Sequence, residues 1–522
     1  GGRLAVHRWY QGGQWTWEHE RHDLFPVIGP EGEITAIRKG STPYRAVPEE
    51  KGVFTEGFFR IERTESGYRW ESRDGRWKRY NPEGRLTVFG DRNGVIGRVL
   101  FRNGLPFCLS DRNNRAVLWL EHDAQGRLRT AFDRTGRGVT YRYRKDRLSA
   151  VTDLLGNETR YAYDAQGNLV QRTDALGNTT RFEYDAAGNL TLKIDPEGTE
   201  TRFTYDTHGR MVLQKDGAGN ETRRIYETPS PAGCPTCGGG NSTQPDRIAY
   251  PTFEKAFAYD KRGRRIEEMD VLSESEAYTT LLDYDPAGNR ILKTDKTGRT
   301  TPYEYDALNR LTRVTDPLGN PTRYTYDARD NLVSLTDAKG QTTQFAYDRN
   351  NRLVKETRPM GEETAYAYDG AGNLMEKTDA KKQKTEYLYD EAGRIEEIRY
   401  YSSSDPTSPV KTVTFTYDAA GNLLTYDDGT TSAEYTYDKT YRKLSETVDY
   451  GPFAKTIAYT YDGNGRKRTY TDPEGVTYTY TYNANNQLSE VHIPGQGAVT
   501  YPSYQWTRPE PMNLPGGSTR DY

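Results

Sequence analysis

The chain has 522 residues, too many for one ordinary core, yet only 34% are apolar against roughly 45–50% in globular proteins. Gly (50) and Tyr (41) fill the deficit, and 12% aromatic residues argue against disorder, because disordered chains are poor in aromatics. A net charge of −3 with no basic run gives a nucleic-acid partner no electrostatic support, and no run of about 18 apolar residues offers a membrane span.

Residues 1–75 carry no repeat and are rich in Trp (Trp9, Trp15, Trp17, Trp70) and in breakers such as Pro26, Gly29, Pro30 and Gly32. Short strands and turns are predicted there, forming a cap or plug for the first exposed edge of the neighbouring repeat region. The start, Gly1 to Val6, lacks the apolar run of a signal peptide. His19-Glu20-Arg21-His22-Asp23 gathers ionisable groups, but Asp23 stands where a zinc HExxH motif needs His. On a strand His19 and His22 would point to opposite faces, so a solvated charged strand or turn is the expectation.

A repeat array is predicted from 76 to 226. Tyr-Asp pairs occur at Tyr163-Asp164, Tyr184-Asp185 and Tyr205-Asp206, spaced by 21 residues, and Tyr226 continues the beat. Each pair opens a turn with Gly at the fourth position, as in Asp164 to Asn168 around Gly167, and likewise at Gly188 and Gly209. A second turn, such as Asp174 to Asn178, falls between them. Turns about ten residues apart set the pitch of short antiparallel strands. Asp accepts a backbone N–H two residues on, and Gly supplies the positive φ of a type I turn with a G1 bulge. Arg181-Phe182-Glu183-Tyr184 alternates with period two, placing aromatics on one face and charges on the other. Leu169, Leu190, Leu332 and Leu353 are predicted to open return strands. The tyrosine hydroxyls are expected to meet water. Cys108 is read as a small buried or half-buried thiol.

Residues 227–250 interrupt the array with Pro229, Pro231, Cys234, Pro235, Cys237 and three Gly, and read as an inserted loop. Cys234 and Cys237 form a CxxC that is at most half a zinc site, with His208 the nearest His; a local loop or disulfide is the plainer reading. From 251 to 493 the beat resumes at Tyr284-Asp285, Tyr305-Asp306, Tyr326-Asp327, Tyr347-Asp348, Tyr368-Asp369 and Tyr389-Asp390, with Gly288, Gly372 and Gly393 in turns. Residues 401–410 form a shorter insertion. The Pro/Gly-rich stretch 494–522 ends on what reads as the start of a further, truncated repeat.

One carboxylate per turn is too few for an EF-hand calcium loop, and no carboxylate pair for glycoside hydrolysis stands out. No cofactor, metal or catalytic residue is expected. An isolated hairpin is marginal in water, so each must lean on the next. A sheet of some forty strands twists, and a chain this poor in apolar residues cannot fill what it encloses. The predicted fold is all-β: stacked antiparallel hairpins curling into a hollow shell, complete or partial.

Tyr163-Asp164-Ala165-Gln166-Gly167-Asn168-Leu169 and Tyr305-Asp306-Ala307-Leu308-Asn309-Arg310-Leu311 resemble the YD repeats of the RHS family. That family includes bacterial polymorphic toxins, the C components of Tc toxins, wall-associated proteins and teneurins. The resemblance covers nearly all of residues 75–490 and implies a cocoon that encloses a C-terminal toxin or effector. It implies a secreted or cell-surface bacterial protein, handed over by a delivery machine. Neither the autoprotease segment nor the toxic domain of such toxins is recognisable here. The alternative is an adhesion module that binds surface glycans, as in teneurin-like or wall-associated proteins.

Overall fold

The computed structural model describes residues 8–11, 14–17, 23–29, 33–39, 42–56, 59–72, 75–226, 244–260, 262–273, 276–505, 508–510, 512–515 and 517–520. Among them there is no helix, and hence none long and apolar enough to cross a membrane. Every strand pairs antiparallel with its neighbour in sequence. From Leu24–Ile28 to Thr519–Arg520 they form one continuous sheet, set apart only from the two short hairpins 8–17 and 503–510. No pairing among the described residues joins its first strand to its last, so the sheet is open.

Gly, Asn, Asp and Thr oppose helix here, while Thr and Tyr suit a half-exposed pleat. In Glu158–Tyr163, Tyr161 and Tyr163 are half-buried and Arg160 and Ala162 exposed, and most repeats follow this alternation. Leu169, Leu190, Leu332 and Leu353 do open strands, each paired with the tyrosine before its turn. The opposite face carries hydroxyl pairs such as Thr325–Ser334 at 2.6 Å and Thr460–Thr469 at 2.7 Å.

The sheet does not break at residue 75: strand Gly67–Glu71 pairs directly with Trp77–Tyr80. Leu24 donates its N–H to the Gly84 carbonyl at 2.7 Å, and Asp23 Oδ1 accepts the Leu86 N–H at 2.8 Å. The first strands thus curl onto the turn at 81–85. Leu24, Ile37, Phe54, Ile61, Trp70 and Leu86 fill the space they enclose. The expectation of an unfilled interior therefore fails locally. A sheet that bends back over a few strands brings large side chains together, and this stretch supplies them. Beyond Ala150 the buried apolar residues thin out to Leu169, Leu192, Tyr259, Tyr401 and Ala433 among the described residues.

Residues 227–243 lie outside the described residues, but Glu221–Ile225 pairs with Arg247–Ala249, so the chain leaves and rejoins at adjacent strands. The 227–250 interruption is therefore shorter at its far end: 247–249 is already sheet. The accessible surface is 30,805 Å², against about 19,000 Å² for a compact protein of 59.5 kDa. Such excess is the mark of a thin wall with two wet faces.

Candidate functional site

The repeated Tyr–Asp turn is the smallest unit. Tyr163, Tyr184, Tyr205, Tyr284, Tyr305, Tyr326, Tyr347, Tyr368 and Tyr389 each end a strand. The following Asp opens the turn. Asp164 Oδ1 accepts the N–H groups of Gly167 and Asn168 at 2.7 and 2.8 Å, and Oδ2 accepts Asn168 Nδ2 at 3.0 Å. In Asp185 and Asp306 Oδ1 accepts the N–H groups two and four residues on, and Oδ2 accepts the side chain of Asn189 or Arg310. Gly167, Gly188, Gly209, Gly288, Gly372 and Gly393 hold φ between 74° and 104°, the bulge position of the turn. The turn itself engages both oxygens of these carboxylates.

The tyrosine hydroxyls are not free to water as expected. Tyr184 donates to the Leu169 carbonyl at 3.0 Å, Tyr326 to Leu311 at 2.8 Å, and Tyr389 to Leu374 at 2.7 Å. The acceptor is the residue paired with the preceding repeat's tyrosine. Each hydroxyl thus ends on the backbone of the preceding repeat rather than in solvent. The tyrosines therefore stitch repeat to repeat.

The fifth turn position was missed, although it is visible in the sequence. From Asn289 to Arg442 it alternates strictly: Asn289, Arg310, Asn331, Arg352, Asn373, Arg394, Asn422, Arg442. Arg310 pairs with its own Asp306 at 2.6 Å, donates to the next repeat's Asp327 carbonyl at 2.9 Å, and lies 5.0 Å from the Tyr326 ring. Arg352 and Arg394 do the same toward Asp369/Tyr368 and Asp418/Tyr417. The shorter Asn bonds its own Asp and, in two repeats, the next turn: Asn289 Nδ2 to Asn309 Oδ1 at 2.9 Å, Asn331 Nδ2 to Asn351 Oδ1 at 3.2 Å.

Turns also meet across long stretches of chain. Arg92 binds Asp330 at 2.6 Å and the Leu308 carbonyl at 3.2 Å, and Arg137 reaches the Glu391 carbonyl at 3.1 Å. Tyr441 hydroxyl meets Asp174, and the Lys439 N–H donates to Glu197 Oε1 at 2.8 Å. Asn464 and Asn486 both donate to Asp216 Oδ2, at 2.7 and 3.2 Å. These partners are 216 to 270 residues apart, so a second winding of the sheet sits edge-on against the first. A cavity of about 270 Å³ opens at this seam, lined by Arg172, Asp174, Lys193, Asp195, Lys439 and Tyr441.

The RHS Repeat family matches overlapping stretches that span 144–221 and 284–384, and the Teneurin YD-shell family matches 379–506, together more than half of the chain. The chain belongs to the YD-repeat (RHS) family. No curated protein matches this YD-repeat chain. Among solved structures it is similar to "TcdB2-TccC3-Cdc42" (15% identity, 88% of this chain, 30% of that one, TM-score 0.49). It is also similar to TcdB2-TccC3 without its hypervariable C-terminal region (15%, 90% and 34%, TM-score 0.45). A third is the Photorhabdus luminescens Tc holotoxin pore carrying a TccC3 mutation (14%, 89% and 34%, TM-score 0.44). The chain spans about a third of the length of these solved chains.

The remaining candidates do not converge in this YD-repeat wall. Cys108 is a free, buried thiol whose Sγ contacts the Leu109 carbonyl, and burial raises its pKa. Cys234 and Cys237 lie outside the described residues, as do His19 to His22. His208 is exposed in a turn, where its N–H donates to Asp206. Among the described residues no three His, Cys, Asp or Glu side chains gather as metal ligands.

Proposed function

We propose that this chain is the wall of a hollow container that encloses and carries a C-terminal toxin or effector polypeptide, and that it works without catalytic residues. The observation that carries this is the seam. A sheet with two wet faces winds over itself, its windings joined edge to edge by turn contacts, and such winding supports a wall around a space. Family membership supports the reading, since the toxin members build such shells. A polar, walled space keeps a cargo from proteases and from the producing cell, and a wall held by polar seam contacts can be opened by a delivery machine. The container acts outside the producing cell, secreted or at its surface.

The test is electron microscopy of the full-length gene product, with protease digestion. A hollow particle with internal density and a protected cargo segment is the expected result. A cargo digested as fast as free polypeptide would overturn the reading. One observation favours a second reading, adhesion to surface glycans. Tyr450 and Phe453 are exposed at a hairpin tip with ring centroids 5.2 Å apart and planes tilted by 31°, an open aromatic pair against which a sugar could pack. A glycan array probed with wild type and Tyr450→Ala decides that: binding lost in the variant supports adhesion, and no binding removes it.

A further inference from the structure

One carboxylate in this wet sheet is sealed off. The Asp270 side chain, in strand Arg265–Ser273, is fully buried, and neither of its oxygens accepts a hydrogen bond. Two ammonium groups flank it. Lys255 lies 3.2 Å from Oδ1, and Lys296 contacts Oδ2. Lys255 is the cross-strand partner of Asp270, and Glu268, two residues earlier in the same strand, shares that face. Lys255 also donates to Glu268 Oε1, while Arg265 holds Glu268 Oε2 at 2.9 Å. Lys296 arrives from elsewhere, in the turn Asp295–Arg299 of the following hairpin.

A buried carboxylate is costly unless its lone pairs are satisfied. Here the two flanking cations balance its charge, but neither contact has hydrogen-bond geometry. Desolvation, then the charge of Lys255, holds the Lys296 ammonium below the usual lysine range, which eases access to the nucleophilic free amine.

We propose that Lys296 and Asp270 join in an intramolecular isopeptide cross-link. Lys296 Nζ attacks Cγ of Asp270, a C–N bond forms, and one C–O bond breaks. The two protons shed by the nitrogen end on the departing oxygen, which leaves as water beside the Lys255 ammonium at Oδ1. Ammonium plus carboxylate becomes amide plus one water, so no oxidant or further reactant is needed. A neutral amide replaces two charges at a fully buried site. The bond would tie the nine-residue strand Arg265–Ser273 to the turn Asp295–Arg299, past the intervening strands Glu276–Tyr284 and Arg290–Thr294. It stands independently of any cargo.

Intact-mass spectrometry of the purified chain, followed by peptide mapping, tests it. The expected result is a mass one water below that of the sequence, and a branched peptide joining Lys296 to Asp270. Lys296→Arg and Asp270→Ala should each restore the full mass. A wild-type chain that keeps its full mass after prolonged incubation at neutral pH overturns the proposal and leaves an ion pair only. A water loss that maps elsewhere, or that persists in Lys296→Arg, overturns it equally. Because the wild-type peptide map decides by itself, a variant that fails to fold does not blunt the test.

Discussion

A single Tyr–Asp pair does two jobs: the carboxylate folds its own turn, and the hydroxyl grips the backbone of the preceding repeat. Tyr326→Phe leaves the Leu311 carbonyl without its donor and should lower stability by about 0.5–1.5 kcal/mol in chemical denaturation. Asp133 shows the pH consequence. Partial burial pushes its carboxyl up, but hydrogen bonds from Thr135 and Arg137 outweigh that and hold it at about 2. A folded pKa below the unfolded value of about 3.9 gives stability that is present above pH 4 and lost as pH falls toward 2. Asp164, Asp206, Asp306 and Asp348 are lowered in the same direction. Circular dichroism should therefore show the array melting at progressively lower temperature across that window. At the alkaline end, burial first and the charge of Glu446 second push the Tyr435 hydroxyl up to about 12. A folded pKa above the unfolded value of about 10 gives stability that is present below pH 10 and lost as pH rises toward 12.

A hairpin is specified by its turns, and there the left-handed residue decides. Gly177 holds φ 84° with open space around it, so Gly177→Ala meets no clash and costs only the backbone term, about 1–2 kcal/mol in a denaturant titration. Lys382 occupies the same position of its turn at φ 62°, where a side chain is strained. Lys382→Gly should raise stability by about 0.5–1 kcal/mol, read as an upward shift of the denaturation midpoint. Strand positions, turn types and the shared face of Phe182 and Tyr184 were all legible in the sequence, because period two and the Asp-x-x-Gly spacing are local. The hydroxyl contacts of Tyr184 and Tyr326 were not. They depend on how far one strand leans over the next, and no spacing reports that.

Over the whole molecule the seam governs shape. Gly217 needs no unusual φ, but a Cβ there would meet Thr199 Cγ2 and the Gly463 carbonyl, both nearer than any real Cβ contact. Gly217→Ala should therefore push the windings apart and leave the hairpins folded. Solution scattering should report a larger radius of gyration, while the β signal in circular dichroism stays unchanged. If the radius stays the same, the windings are not held at this point.

The repeat beat, the antiparallel hairpins, the turn chemistry and the shortage of core-forming side chains are properties of neighbours along the chain, so the sequence alone determined them. Tertiary structure decided which turns meet across more than two hundred residues, where the first strands close on a filled core, and why Asp270 is sealed between two lysines. Those outcomes depend on the accumulated twist of dozens of strands. A small rotation at each step, summed over a winding, selects the partner, and no single residue encodes it.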